Sequence, residues 1–331
     1  MEQLIQGASM PLVVLMLIVG FVFLIKGADF FVEGSSSIAK KLQVPSIIIG
    51  LTIVAMGTSL PETAVSVTAS MVNNNALAVS NVIGSNIFNL MFVIGVCSIL
   101  TPIAVQRETI VRDIPLSVIC ALLLAGLGIL AVGDKETYIL GHLDGVIFLV
   151  LFAGYIILMI RSALKARAEG KEVAIEGEED LKVLSYPKSI LCIVGGAIAI
   201  AIGGDLTVDT ASRIAVELGM SQTLVGLTIV SIGTSLPELV TSIVAARKNE
   251  VDMAVGNAVG SNIFNILMVL GIASAINPIG LLTENLIDIM ILVGFSLLVW
   301  AFAATKRKIT RKEGMAMVVL YLVYAIYIIL R

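Results

Sequence analysis

Charge is scarce in this chain. Only 14% of its 331 residues are charged, against 58% that are hydrophobic, and mean hydropathy is +1.05. A soluble domain carries about 25% charged residues, so the scarcity excludes a water-soluble fold and implies a polytopic membrane protein. Histidine is scarcer still. His142 is the only one, beside a charged stretch near a surface, and this removes most histidine-based chemistry. Cysteine is limited to Cys97, Cys120 and Cys192, far apart in apolar runs without metal or redox spacing. They read as packing or lipid-facing residues. With no intramembrane Ser/His or Ser/Lys pair and no suitable pair of aspartates, intramembrane proteolysis loses its chemistry, and an enzyme is not expected. The opening Met-Glu-Gln has no basic character, and no clear small-residue cleavage site follows its long apolar run. That pattern is a transmembrane helix, not a signal peptide.

What is present is length without polarity. Apolar stretches long enough to span a bilayer fall at about 8–31, 46–72, 76–105, 112–132, 142–160, 188–212, 222–246, 251–280, 286–304 and 314–330. The expectation is an all-α membrane protein of ten transmembrane helices. Of the 21 Lys and Arg residues, 17 fall in segments after the odd-numbered spans. Positive charge marks the cytoplasmic side, so both termini are expected outside and the multi-pass chain in the cell membrane. The one long polar stretch, 161–187, is expected to be a solvated cytoplasmic linker between a first unit, 1–160, and a second, 188–331. The bilayer is the expected partner; no nucleic acid and no obligate protein partner is implied.

The sequence matches itself when shifted by 176 residues. GTSLPE at Gly57–Glu62 returns at Gly233–Glu238, and GSNIFN at Gly84–Asn89 returns at Gly260–Asn265. Over 27–89 against 203–265, 30 of 63 positions are identical without a gap, which only duplication explains. The copies lie five crossings apart, so they run in opposite directions. Two inverted five-helix repeats are expected, with a binding site near the midplane where they meet.

The duplicated residues define its chemistry. Glu62 and Glu238 fall near mid-depth, where a charge costs roughly 2.5–3.5 kcal/mol. Lys26 is the one basic residue well inside a span and has no counterpart, since Ile202 stands at the shifted position. The two carboxylates are therefore read as neutralising a bound cation. Thr58, Ser59 and Glu62 share one face of a regular helix, as do Thr234, Ser235 and Glu238. Pro61 and Pro237 lack an N–H, so a break with freed carbonyls is expected at Gly57 and Gly233. Ser85 with Asn89, and Ser261 with Asn265, add oxygen at i,i+4 spacing. Asn86 and Asn262 point elsewhere and are expected to bond across helices. Carboxylate, hydroxyl, amide and carbonyl oxygens suit hard cations, and a dehydrated cage with two carboxylates favours Ca²⁺ over Mg²⁺. Removing the divalent ion leaves two anions that need Na⁺ or protons, which points to exchange rather than uniport. A cation channel with a carboxylate ring is the reading from another class, and broken inverted repeats argue against it.

With these motifs the chain resembles the sodium/calcium exchanger family of cation/calcium antiporters, of the prokaryotic type given its short linker. The resemblance implies α-repeats at 46–105 and 222–280 and secondary active exchange of Ca²⁺ for Na⁺ by alternating access, exporting Ca²⁺, with no cofactor. It implies cation ligands at Thr58, Ser59, Glu62, Ser85, Asn89, Thr234, Ser235, Glu238, Ser261 and Asn265, together with the carbonyls of Ala55 and Ser231. Spans 1 and 6 would slide across this core. Some sodium-coupled members carry Asp where this chain has Asn265, so the ion that returns is left open between Na⁺ and the H⁺ or K⁺-dependent exchange also found in the family. Two readings stand for Asp29, Glu33, Asp205 and Asp209: an ion approach, or caps on the moving helices.

Overall fold

The computed structural model describes residue 5 and residues 7–72, 75–130, 138–168, 183–220 and 231–330. The fold is helical. In chain order the helices are α1 (Met10–Leu42), α2 (Ser46–Ile49), α3 (Ala55–Thr58), α4 (Leu60–Met71), α5 (Asn75–Ile87), α6 (Ile94–Leu100), α7 (Ile114–Leu130), α8 (His142–Ala168), α9 (Tyr186–Glu217), α10 (Ser231–Gly233), α11 (Leu236–Arg247), α12 (Val251–Phe264), α13 (Leu270–Ile276), α14 (Thr283–Ala304) and α15 (Arg311–Leu330). Wide π turns interrupt the regular helix at Gly50–Val54, Phe88–Val93, Thr109–Asp113 and Asn265–Val269. Among the described residues, eight helices are long and apolar enough to cross a membrane. A ninth candidate is the pair Ser46–Thr58 and Leu60–Met71, bent by 49°. Part of the expected span 222–246, and residues 169–182 of the expected linker, lie outside the described residues.

Several helices run past the apolar stretches that announce them. The first span is expected to end at 31 yet α1 continues to Leu42, α8 continues from 160 to Ala168, and α9 continues from 212 to Glu217. Hydropathy reports where a helix leaves lipid, not where its hydrogen bonding ends. Continuations such as RSALKARA at 161–168 consist largely of good helix formers. The third and eighth spans are shorter than expected. Pro102 and Pro278 force Thr101 (φ −138°, ψ 117°) and Asn277 (φ −148°, ψ 129°) into extended backbone, because the residue before proline avoids helical geometry. α6 therefore stops at Leu100 and α13 at Ile276.

The extended residues that follow are used. β1 (Ile103–Ala104) pairs antiparallel with β4 (Lys308–Ile309), and β2 (Tyr138–Leu140) pairs antiparallel with β3 (Ile279–Leu281). Each ribbon ties a loop of the first half to a loop of the second.

Two layers surround the duplicated motifs. The windows of the third and eighth spans, Leu77–Leu100 and Val251–Ile276, are each 78% buried, against 22% for α1; the GSNIFN helices thus form the centre. α1 and α9 lie antiparallel along its side. Their seam is made of glycines seven residues apart, Gly20, Gly27 and Gly34 against Gly196 and Gly203. A Cβ built at Gly27 would sit 2.9 Å from Ile200 N, and one at Gly196 would sit 2.7 Å from Gly27 O. Small residues let membrane helices approach backbone to backbone, and the seven-residue spacing keeps the seam on one line for two long helices.

Candidate cation site

The site forms where the two GTSLPE breaks meet the two GSNIFN helices. α3 ends at Thr58, Ser59 sits in the gap (φ −84°, ψ 12°), and α4 begins at Leu60 with Pro61 in its first turn. The second copy repeats this: Ser235 (φ −94°, ψ 6°) precedes α11, whose first turn holds Pro237. Proline is well placed there, since first-turn N–H groups have no helical acceptor. The break also corrects one expectation. Thr58, Ser59 and Glu62 do not share the face of a continuous helix, because the helix breaks at Ser59, between Thr58 and the acid, and bends there by 49°.

The hydroxyls instead reach across to the other half. Ser59 Oγ donates to Glu238 Oε1 at 2.9 Å, and Ser235 Oγ donates to Glu62 Oε1 at 3.1 Å. Thr58 Oγ1 donates to Asn257 Oδ1 at 3.0 Å and Thr234 Oγ1 to Asn81 Oδ1 at 3.2 Å. Ser85 Oγ donates to Glu62 Oε1 and Ser261 Oγ to Glu238 Oε1, each at 3.4 Å. Ser235 Oγ also lies 2.9 Å from Ser85 Oγ, so the two serines and Glu62 Oε1 form one cluster. Most of these bonds have a counterpart 176 residues away. So do the cross-helix bonds expected of Asn86 and Asn262: Asn86 Nδ2 donates to Asn262 O at 3.2 Å, and Asn262 Nδ2 to Asn86 O at 3.1 Å.

Glu62 and Glu238 are fully buried, as are Thr58, Ser59, Asn89, Ser235, Ser261 and Asn265, with Ser85 nearly so. In each acid Oε1 is hydrogen-bonded while Oε2 has no hydrogen-bond partner. Asn265 Oδ1 and both amide atoms of Asn89 are also buried without hydrogen-bond partners. Buried polar atoms are nearly always satisfied, and leaving one unpaired costs about 1–3 kcal/mol, more when charged. Two carboxylate and two amide oxygens in this condition match the ligands a hard cation takes. Asn89 and Asn265 both lie in π turns, a distortion that clusters at functional sites.

The carbonyl candidates are placed at the breaks. Ala55 opens α3, and its carbonyl accepts Ser59 N–H at 3.0 Å and lies 3.4 Å from Thr58 Oγ1. Ser231 opens α10. The fold brings together the acids and serine hydroxyls singled out by the motifs, while Asn89 and Asn265 lie one turn beyond Ser85 and Ser261 in the π turns. It also adds Asn81 and Asn257, which the motif reading passed over. They are identical in the two copies and one turn before Ser85 and Ser261, and that was their signal. Asp29 and Glu33 lie away from this cluster, where Lys248 Nζ comes within 3.0 Å of Asp29 Oδ1. Asp205 is exposed and Asp209 is half-buried.

Comparison with known proteins matches this architecture closely. The model of the sodium/calcium exchanger protein family matches residues 12–161 and 188–330. The candidate antiporter CaxA of Alkalimonas amylolytica is 39% identical, over 93% of this chain and 95% of its own length. The sodium/calcium exchanger MaX1 of Methanosarcina acetivorans is 31% identical, over 94% and 97%. A structure of the sodium–calcium exchanger NCX_Mj, soaked with Na⁺ and Sr²⁺, superposes with a TM-score of 0.79 at 34% identity, covering 95% of this chain and 98% of that one. The chain belongs to the sodium/calcium exchanger family.

Proposed function

We propose that this family member is a secondary active antiporter that exchanges Ca²⁺ for Na⁺ by alternating access and works to export Ca²⁺. The observation that carries the reading is the pair of fully buried carboxylates, each held by a serine of the opposite half and each with one oxygen unpartnered. Two carboxylates balance one divalent ion. When that ion leaves, two negative charges in a medium of low dielectric must be compensated, and monovalent cations do so. Glu62, Glu238, Thr58, Ser59, Thr234, Ser235, Ser85, Asn89, Ser261 and Asn265 would hold the ions, with the carbonyls of Ala55 and Ser231.

The architecture proposed around this site is ten transmembrane helices in two inverted five-helix repeats, 1–160 and 188–331, joined by the linker 161–187. The ribbons support it. Strands that pair must lie at one end of the molecule, so an even number of crossings separates them. Between β1 and β4 the count is six, and between β2 and β3 it is four, only if the segment containing Ser231–Arg247 crosses as well. The distribution of Lys and Arg supports a cell-membrane topology with both termini outside and the linker cytoplasmic. The long glycine seam suits α1 and α9 to moving as one body over the core.

The test is flux into proteoliposomes with gradients applied one at a time. A Na⁺ gradient without a pH gradient is expected to drive ⁴⁵Ca²⁺ movement against its own gradient. Movement driven by a pH gradient in the absence of Na⁺, with none driven by Na⁺, would replace this reading by Ca²⁺/H⁺ exchange. Unsaturable flux that needs no counter-ion would mean a channel.

A further inference from the structure

We infer that Asn81 and Asn257 are paired positioning residues, which aim the hydroxyls of the opposite half at the cation and so make one site of two half-sites. The inference rests on the exchanger reading above and deepens it.

Each asparagine spends its side chain in the same three directions. Asn81 Nδ2 donates to Ser66 Oγ at 2.9 Å and to the carbonyl of Glu62 at 3.4 Å, while its Oδ1 accepts from Thr234 Oγ1 at 3.2 Å. Asn257 Nδ2 donates to Ser242 Oγ at 2.9 Å and to the carbonyl of Glu238 at 3.3 Å, while its Oδ1 accepts from Thr58 Oγ1 at 3.0 Å. Both are buried. The serines lie one helical turn after the acids, so each asparagine grips the first turns of the helix that carries its own half's carboxylate. The remaining bond crosses to the other half's break.

Chemistry gives the crossing bond its use. A hydroxyl can ligate a cation only through its lone pairs, so its proton must point elsewhere. Thr58 also has its own helix carbonyls within reach, Val54 O at 3.2 Å and Ala55 O at 3.4 Å. Asn257 Oδ1 is the nearest acceptor of the three, and the one that fixes Thr58 relative to Glu238. Asn81 does the same for Thr234 relative to Glu62. Neither asparagine needs to touch the ion. Moving one break against the other severs both crossing bonds together, which makes the pair sensitive to whether the two halves are assembled around cargo.

The test is a double-mutant cycle read as KM for Ca²⁺ against maximal rate in Na⁺-driven proteoliposome flux. Asn81→Ala is expected to raise KM about tenfold with maximal rate changed less than about twofold. Asn81→Ala combined with Thr234→Val should raise KM no further than the larger single change, whereas Asn81→Ala with Thr58→Val should multiply the two effects. An unchanged KM, or multiplicative effects in the Asn81/Thr234 pair, would overturn the inference. If Asn81→Ala does not fold, Asn81→Ser replaces it, since serine keeps a polar group beside Ser66 but is too short to reach Thr234. Failure of both to fold would mark Asn81 as purely structural and also overturn the inference. Glu62→Gln in the same assay separates the two levels. If it keeps wild-type flux, the site reading itself is wrong; if it abolishes flux while the Asn81 variants behave as wild type, only the positioning role is wrong.

Discussion

The core of the molecule and its edge treat the duplication differently. In the core, Ser59 reaches Glu238 as Ser235 reaches Glu62, and Asn257 holds Thr58 as Asn81 holds Thr234. At the edge, where α1 meets the loop before α12, the correspondence stops. Lys248 Nζ lies 3.0 Å from Asp29 Oδ1 and donates to the Asp29 carbonyl at 3.0 Å, and Ser36 donates to the buried carboxylate of Glu250. The shifted positions of Lys248 and Glu250 are Val72 and Asn74. Ser212, the counterpart of Ser36, has no hydrogen-bond partner at its hydroxyl among the described residues. Under the proposed alternating access, a core that holds the same ion from either side gains from two equivalent halves, whereas an edge that closes on one side at a time does not, and there the two ends of the molecule differ.

The sharpest way to break the comparison is at the crosswise serines. Ser59→Ala and Ser235→Ala each remove a hydrogen bond to a buried carboxylate, worth about 1.5–3 kcal/mol. Each is expected to raise KM for Ca²⁺ by tenfold or more on that scale, and by matching amounts in the same flux assay. Unequal losses would mean that the halves are equivalent in geometry only.

The glycines of the two breaks test the boundary between core and edge. A Cβ at Gly57 would stand 2.6 Å from Phe31 Cζ on α1, and one at Gly233 would stand 2.1 Å from Val208 Cγ2 on α9. Overpacking of this kind costs about 1–3 kcal/mol. Gly57→Ala and Gly233→Ala should each slow maximal exchange several-fold by wedging α1 or α9 away from the core. Val208→Ala should restore Gly233→Ala and leave Gly57→Ala impaired, which maximal-rate measurements on the double variants would check. These glycines therefore serve close packing as much as the looseness of the turn.

The smallest effect belongs to the edge. Lys248 and Asp29 are partly exposed, and such pairs contribute about 0–1 kcal/mol. Lys248→Gln is expected to change KM for Ca²⁺ about twofold on one face of the membrane only, a shift within that energy range. Flux from oppositely oriented vesicles would reveal it. Equal changes on both faces would assign Lys248 to the core instead.

Much of the site was legible because duplication keeps what chemistry needs. Identity under the 176-residue shift picks out Glu62, the hydroxyls and the GSNIFN amides from a background of interchangeable apolar residues. The breaks were legible through Pro61 and Pro237, but the ribbons were not, since hydropathy carried the third and eighth spans past Pro102 and Pro278. Partners were not legible. Helical spacing pairs Ser59 with Glu62, whereas folding pairs it with Glu238, and no periodicity within one helix encodes a contact between two. Asn81 and Asn257 met the identity criterion and were passed over because nothing in spacing separates a ligand from the residue that orients it. The π turns at Asn89 and Asn265 left no local mark, and the glycine seam becomes visible only when α1 and α9 lie side by side.

The most direct measurement is Na⁺-driven ⁴⁵Ca²⁺ flux in proteoliposomes bearing Glu62→Gln or Glu238→Gln beside the wild-type chain. The account predicts saturable flux in the wild type and its loss in both variants. Wild-type flux surviving in either variant would contradict a single cation site shared by the two halves.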